Sequence, residues 1–235
     1  NEFVRTRHAV PGIRPPTDLE PGFHRLRVES AGDSAEALLI AAPRRCFEPE
    51  HPMLGVFLPL YALRTGENRG GGTLGDLAGL ADWARGQGAD LVGTLPLLAT
   101  FLDEPFEPSP YAPVSRCVFG ELYIDAETAA AELDLPTLRA LLSSEAYARA
   151  ARAERERALV DYRRSWGLVR ECLEAATRDV YASESLRSEV EAFVGRDRLI
   201  EGYTGFRAGL VGGERAEGEQ RLYACAQWLL KRQYE

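Results

Sequence analysis

Residues 54–63 read LGVFLPLYAL, and residues 89–98 read ADLVGTLPLL. Both runs are apolar at successive positions, which is typical of strands covered on both faces in a parallel sheet. Between them, Thr73 can cap a helix together with Asp76, and apolar residues follow at helical spacing. This stripe comprises Leu74, Leu77, Leu80, Ala81 and Ala84. The order strand, helix, strand predicts a βαβ unit with parallel strands and a right-handed crossover, and therefore an α/β fold.

A loop rich in proline and aromatic residues follows the second strand, over residues 103–125, DEPFEPSPYAPVSRCVFGELYID. It has neither helical nor alternating periodicity, and it begins at the carboxyl end of a predicted parallel strand, where such folds bind ligands. Tyr111 offers a flat ring for the C–H surface of a pyranose and a hydroxyl for its oxygens. Ser109 adds a second hydrogen-bonding group. The loop is therefore the predicted ligand site.

The same loop also has a purely structural interpretation. Three of its aromatic residues, Phe106, Tyr111 and Phe119, could simply fix the loop to the rest of the protein. Its acidic residues are expected to be solvated or turn-forming rather than catalytic, because they lie in a proline-rich loop. They are Asp103, Glu104, Glu107 and Asp125.

The glycine-rich segment 69–76, RGGGTLGD, precedes the predicted helix, whose N-terminus could hold a phosphate. However, it lacks the G-K-[ST] of a P-loop, and its glycines do not have the G-x-G-x-x-G spacing. Loop flexibility is therefore the favoured explanation, with nucleotide binding as the alternative.

Charge and composition exclude several classes of function. The 235 residues carry a formal net charge of -8, which disfavours nucleic acid and anionic membranes as partners. The four scattered cysteines and three histidines show no metal-ligand spacing, so no metal site is expected. No apolar run has the length of a membrane span, and no signal segment follows Asn1. A cytoplasmic location with reduced thiols is predicted.

The first fifty residues contain a predicted β-hairpin. Residues 1–21 have no firm element and are interpreted as a tail, whereas 22–28 and 37–43 read as strands joined by a turn. Because two strands alone are marginally stable, the hairpin is expected to belong to a larger β-domain or to dock elsewhere. The absence of Met at position 1 and an uncapped helix at residues 219–235 suggest part of a longer protein.

The chain from residue 126 onward is predicted to be mainly helical. One apolar seam repeats at steps of four and three residues, and an intramolecular packing face is favoured over a coiled coil because the seam is short. It comprises Tyr162, Trp166, Val169, Leu173, Ala176 and Val180. A helical interaction module built on this seam remains an alternative. Trp166 and Trp228 are expected to lie in the core.

Several segments, in this order, resemble the amylomaltase family of 4-α-glucanotransferases, of the α-amylase-like barrel clan. They are GVFLPLYALR (55–64), TLGDL (73–77), GADLVGTLPL (88–97), SPYAPVSR (109–116) and ELYID (121–125). The hairpin resembles the end of that family's N-terminal β-domain, and AQWLLKRQ (226–233) resembles the helix before its third barrel strand. The resemblance implies that the chain has four parts. Residues 1–50 comprise a tail, the end of the β-domain and a linker, and residues 51–125 form the first βαβ unit of a (β/α)₈ TIM barrel, with the substrate loop. Residues 126–218 form a helical insertion, and residues 219–235 form a barrel helix.

The resemblance also implies an activity. Family members transfer α-1,4-glucan segments by a retaining, two-step exchange between two carboxyl groups, without a metal or organic cofactor. Tyr111 matches the tyrosine of the family's S-P-Y motif that stacks near the cleaved glucose, and Ser109 matches its serine. The family's catalytic motifs, R-I-D-H and A-E-D-L, do not occur in this sequence. We therefore assign no catalytic residue to this chain and expect it to be inactive alone.

One position within the matched segments departs from the family pattern. Gly120 stands where the family commonly has asparagine, which removes a hydrogen-bonding side chain before ELYID.

The alternative function is that of a non-catalytic protein that binds α-1,4-glucan or maltooligosaccharide, or that acts as a scaffold.

Overall fold

The computed structural model describes residues 19–30 and 32–235. It divides into two compact units, Asn1–Pro52 and Met53–Glu235. Most of the predicted N-terminal tail lies outside the described residues.

The first unit contains the predicted β-hairpin. Strand β1 (Gly22–Ser30) pairs antiparallel with β2 (Asp33–Ala41). In this register Phe23 lies opposite Ile40, and both side chains are more than half exposed. The hairpin is confirmed, and its strands extend closer to the turn than the sequence pattern indicates.

The second unit begins with the predicted βαβ arrangement. Strand β3 (Gly55–Phe57) pairs parallel with β4 (Leu91–Gly93), and helix α1 (Leu74–Gly86) lies between them in sequence. Thr73 and Asp76 form the predicted capping box, each side chain accepting from the other residue's backbone N–H. The element order and the parallel pairing are therefore confirmed.

The predicted length of these two strands is wrong. Each spans only three residues, and Pro59 is followed by a 3₁₀ turn at Leu60–Ala62 instead of a continued strand. Proline cannot donate to a β-ladder, so the pairing cannot extend through it. Phe57 and Leu91 are 65% and 47% exposed, because nothing in the described part of the chain covers them.

Seven helices follow, as the sequence predicts for the C-terminal half. They are α2 (Ala126–Glu132), α3 (Pro136–Leu142), α4 (Glu145–Arg155), α5 (Tyr162–Ala182), α6 (Glu184–Arg196), α7 (Arg198–Val211) and α8 (Ala216–Tyr234). Five of them begin after a serine or aspartate whose side chain accepts a backbone N–H of the first turn. Such caps satisfy donors that have no partner within the helix, and they fix where each helix starts.

Helix α5 lies at the centre of the helical core. Five of the six seam residues are buried, and only Tyr162, which packs edge-on against Tyr61, is partly exposed. Intramolecular packing of the seam is thus confirmed, and the alternative of an interaction module on this face is wrong. Trp166 and Trp228 are buried, as predicted.

We expect Leu173→Ala to lower the free energy of unfolding by about 2–5 kcal/mol, because it opens a cavity at a side chain with no exposed surface. Chemical denaturation would measure this loss. Leu159→Ala is the matched control, since Leu159 is 83% exposed and should change stability by less than about 0.5 kcal/mol. Equal effects of the two substitutions would contradict the assignment of the core.

Candidate functional site

Backbone hydrogen bonds hold both limbs of the 103–125 loop. Phe101 and Glu107 exchange two N–H···O bonds, of 3.1 and 2.8 Å. The Val114 N–H donates to the Ala99 carbonyl over 2.8 Å, and the Gly120 N–H donates to the Leu97 carbonyl over 2.9 Å. The loop therefore folds back on residues 97–101, and its tip is the turn around Pro110.

This turn brings together the two residues predicted to bind a ligand. The Ser109 hydroxyl accepts the Tyr111 N–H over 3.3 Å, and the Ser109 carbonyl accepts the Ala112 N–H over 3.0 Å. Glu107 accepts the Ser109 N–H over 3.1 Å. The Tyr111 residue is 72% exposed, so its ring is available to a ligand.

Two other aromatic residues of the loop, Phe106 and Phe119, have a structural role. Phe106 stacks under the Arg163 guanidinium at 3.9 Å, and Phe119 packs against Tyr234 with ring centroids 4.9 Å apart. Both are partly buried. The structural interpretation therefore holds for these two residues but does not account for the exposed ring of Tyr111.

Asp103, at the start of the loop, contacts side chains of three helices, which the sequence pattern does not predict. We call this group of contacts the Asp103 junction. The Asp103 carboxylate accepts Trp166 Nε1–H over 2.8 Å and the Tyr223 hydroxyl over 3.0 Å, and it lies 3.3 Å from Arg207 Nη2. These partners belong to α5, α8 and α7. The expectation that Asp103 is merely solvated or turn-forming is therefore wrong.

The remaining acidic residues of the loop match that expectation. Glu104 forms an exposed ion pair with Arg163. Glu107 supports the turn at Ser109, and Asp125 caps α2 by accepting the Thr128 N–H over 2.9 Å.

Arg207 and Tyr223 form the buried side of the Asp103 junction. The Arg207 guanidinium lies 4.3 Å from the centre of the Tyr223 ring, donates to its hydroxyl, and donates to the Thr100 carbonyl over 3.4 Å. Burial raises the pKa of the Tyr223 hydroxyl, which therefore remains a neutral donor to Asp103. The short sequence context of these residues predicts none of these contacts, because the partners lie far apart along the chain.

A second buried cluster fixes the far end of the loop. Glu121 is fully buried, and its Oε1 atom accepts the Tyr203 hydroxyl over 2.6 Å and Gln227 Nε2–H over 2.8 Å. Gln227 also binds the backbone N–H and carbonyl of Phe119, over 3.1 and 2.8 Å. Burial raises the pKa of the Glu121 carboxyl, whose Oε2 atom has no partner among the described residues.

The glycine at position 120 has a steric explanation. A Cβ atom there would lie 2.8 Å from the Leu98 carbonyl oxygen and 3.1 Å from the Tyr123 ring. The close approach of the two loop limbs therefore requires glycine, and an asparagine side chain would not fit without a shift of the backbone.

The glycine-rich loop before α1 does not have the features of a phosphate site. The Thr73 N–H, one of the free donors at the helix N-terminus, is already bound by the Asp76 carboxylate over 2.8 Å. That carboxylate places negative charge where an anion would have to bind. Close packing explains part of the glycine content, since a side chain at Gly72 or Gly75 would collide with Leu60 or Asp125.

Neither a metal site nor a membrane-spanning helix is found among residues 19–30 and 32–235. No group of three or more His, Cys, Asp and Glu side chains in this part of the chain could hold a metal ion. No helix there is long and apolar enough to cross a membrane.

A family model described as 4-alpha-glucanotransferase matches residues 58–234. The chain belongs to this family. It is 36% identical over 132 residues to a 4-alpha-glucanotransferase of Mycobacterium bovis, a match that covers 52% of this chain and 18% of the relative. A 4-alpha-glucanotransferase of Haemophilus influenzae is also 36% identical, over 110 residues, which are 44% of this chain and 16% of the relative.

The fold is also similar to a solved member of the family. The crystal structure of amylomaltase from Corynebacterium glutamicum matches with a TM-score of 0.73 and 26% identity, covering 93% of this chain and 33% of that one. The chain therefore spans less than a fifth of the curated relatives and a third of the solved amylomaltase. The family resemblance of the sequence motifs is confirmed.

We expect the stability of the protein to fall as pH rises above about 4.5, the ordinary pKa of glutamate, because of Glu121. Its raised pKa means that the folded protein retains a proton that the unfolded chain has already released, so a higher pH favours unfolding. The slope contributed by this group is at most about 1.4 kcal/mol per pH unit. Glu121→Gln should remove it, which denaturation between pH 4 and 8 would measure.

The control is Glu104→Gln, because the Glu104 side chain is 77% exposed and pairs only at the surface. The pH dependence of this variant should follow that of the wild-type protein. A wild-type slope that survives in Glu121→Gln would show that Glu121 is not its source.

Proposed function

We propose that this chain is the N-terminal part of a 4-α-glucanotransferase that transfers α-1,4-glucan segments by a retaining double displacement. Its catalytic carboxylates would lie in a part of the protein outside these 235 residues. Family membership supports the reaction class. The observation that carries the role of this chain is the exposed Tyr111 ring at the tip of a loop whose two limbs are both anchored.

In this proposal the loop forms one wall of a glucan subsite. The Tyr111 ring stacks on the C–H face of a glucose unit near the cleaved bond, and its hydroxyl and that of Ser109 bind sugar oxygens. The anchored limbs reduce the conformational entropy lost when the sugar binds. The wall thus holds the sugar in position for reaction with groups that this chain does not supply.

The chemistry follows from two carboxyl groups. One, as carboxylate, attacks the anomeric carbon, while the other protonates the leaving glycosidic oxygen. The deprotonated acid then removes the proton from the 4-hydroxyl of an acceptor glucan, which displaces the enzyme from the anomeric carbon. Exclusion of water from the subsite favours transfer over hydrolysis. We assign no metal or organic cofactor to these steps.

The proposed architecture is a (β/α)₈ barrel that begins with β3 and β4, carries a helical insertion, and follows a β-domain that ends in the hairpin. The exposed Phe57 and Leu91 on this short parallel pair support it. Apolar strand surface of this kind is normally covered, and closure of a barrel removes the open edges of its sheet. The remainder of the barrel would then be the main partner of this chain.

We place the protein in the cytoplasm, because Cys46, Cys117, Cys172 and Cys225 are all free thiols. Unpaired cysteines are typical of reducing compartments. The two curated relatives and the solved structure described above are named as 4-alpha-glucanotransferases and an amylomaltase, and these names favour the enzyme over the alternative of a non-catalytic glucan-binding or scaffolding protein.

The role of Tyr111 can be tested in the protein that carries this chain together with the two carboxylate motifs. Tyr111→Ala should lower kcat/KM for disproportionation of maltotriose by roughly 10- to 100-fold, because burial of a large side chain against the sugar is worth about 1.5–3 kcal/mol. Tyr111→Phe, which keeps the ring, should retain most of the activity. Product chromatography with maltotriose as donor and acceptor measures both.

The 235-residue chain alone is the second arm of this experiment and should give no transfer product. Activity of Tyr111→Ala equal to wild type would contradict the stacking role. Disproportionation by the 235-residue chain alone would contradict the proposed location of the carboxylates.

A further inference from the structure

One side of helix α7 exposes large apolar side chains. They are Leu199, Phe206 and Leu210, which are between 46% and 58% exposed. Since each residue turns an α-helix by about 100°, the three positions fall within about 40° of one another around the helix axis. They form a stripe about 16 Å long, which covers most of α7.

Three glycines lie beside this stripe. Gly202, Gly205 and Gly209 are all exposed, and a Cβ atom added at any of them would meet no described atom within 4 Å. Packing within the described part of the chain therefore does not require glycine there, although glycine destabilises a helix interior relative to alanine. The six residues share an arc of about 140°, the kind of apolar arc that normally faces a core or a partner. We call them the α7 face.

The α7 face is complementary to itself in shape. Two helices can approach each other most closely where glycine leaves no side chain between their backbones. When a second copy of α7 lies antiparallel with Phe206 opposite Gly202, Leu199 lies opposite Gly209. Large side chains then meet glycines in both directions, as an interface with two-fold symmetry requires.

The charges at the two ends of the α7 face are also complementary. Arg198 is the first residue of α7, and Glu214 follows its last turn. Both are exposed, and neither forms an ion pair with any of residues 19–30 and 32–235. An antiparallel second copy brings each Arg198 to the end where the other copy carries Glu214, whereas a parallel copy would bring like charges together. Charge therefore favours the same antiparallel orientation as shape.

We propose that two copies of the protein associate through the α7 face, antiparallel about a two-fold axis. This interface goes beyond the proposed function, because it involves no contact with glucan. A single pair of helices buries less than the roughly 1,200–2,000 Å² of a stable interface. We therefore expect a reversible dimer that dissociates on dilution.

The test is sedimentation velocity over a range of concentrations. It is applied to the 235-residue chain and to the protein that carries this chain together with the two carboxylate motifs. Gly202→Leu should raise the dimer dissociation constant at least tenfold, because the new side chain occupies the position opposite Phe206. The monomer should remain folded by circular dichroism, since leucine favours a helix and a Cβ atom at this position is unobstructed.

Gly79→Leu is the matched control. Gly79 is an exposed glycine inside α1, and a Cβ atom there is equally unobstructed. This variant should dimerise like the wild-type protein.

Exchange of the two charges tests the orientation of the copies. Arg198→Glu should weaken the dimer about threefold, because it creates two like-charge pairs, and the loss should be smaller at high salt. The double variant Arg198→Glu, Glu214→Arg should restore wild-type affinity by reversing both pairs.

A dimer that is lost in Gly202→Leu, kept in Gly79→Leu and restored by the double charge exchange would support the proposal. The proposal would be overturned by a longer protein that stays monomeric at every concentration, since its own remaining parts would then cover the α7 face. It would also be overturned by a dimer that is unchanged in Gly202→Leu, or by a double variant no tighter than Arg198→Glu. None of these measurements involves glucan transfer, so this proposal and the proposed function can fail separately.

Discussion

The contact between Asp103 and Arg207 determines how the 103–125 loop meets the helices. The Arg207 side chain is 3% exposed, and a buried guanidinium without a nearby anion would be strongly destabilising. Asp103 supplies that anion from the first position of the loop, and it also accepts hydrogen bonds from Trp166 and Tyr223. One carboxylate therefore stabilises a buried charge and joins the loop to three helices.

The far end of the loop depends on a different arrangement, centred on Gln227 of α8. Its amide binds both backbone groups of Phe119 and the carboxyl of Glu121, so a single side chain replaces the backbone partners that an irregular segment lacks. Between these two anchors, Tyr111 is left exposed. A fixed loop with an exposed aromatic ring loses little conformational entropy when a ligand binds, which suits the proposed role of Tyr111 in sugar binding.

Local patterns predicted the elements of the fold well. The capping pair Thr73 and Asp76, the buried seam of α5 and the parallel order of β3 and β4 all depend on residues close in sequence or on simple periodicity. The composition of residues 103–125 also predicts an irregular loop, which the structure confirms. Strand length does not follow from the sequence in the same way, since an apolar run does not show where pairing stops. The Asp103 and Glu121 clusters cannot be predicted from the sequence, because their partners lie 63 to 120 positions away and isolated polar residues give no signal of such contacts.

Amide hydrogen exchange in Asp103→Ala tests most directly whether long-range polar contacts hold the loop that presents Tyr111. If they do, the amides of Phe101, Glu107 and Val114 should exchange faster than in the wild-type chain, while those of α1 stay unchanged. Glu104→Ala, at the adjacent exposed position, should leave all of them protected. Equal protection of the loop amides in Asp103→Ala and wild type would contradict the anchoring role of Asp103.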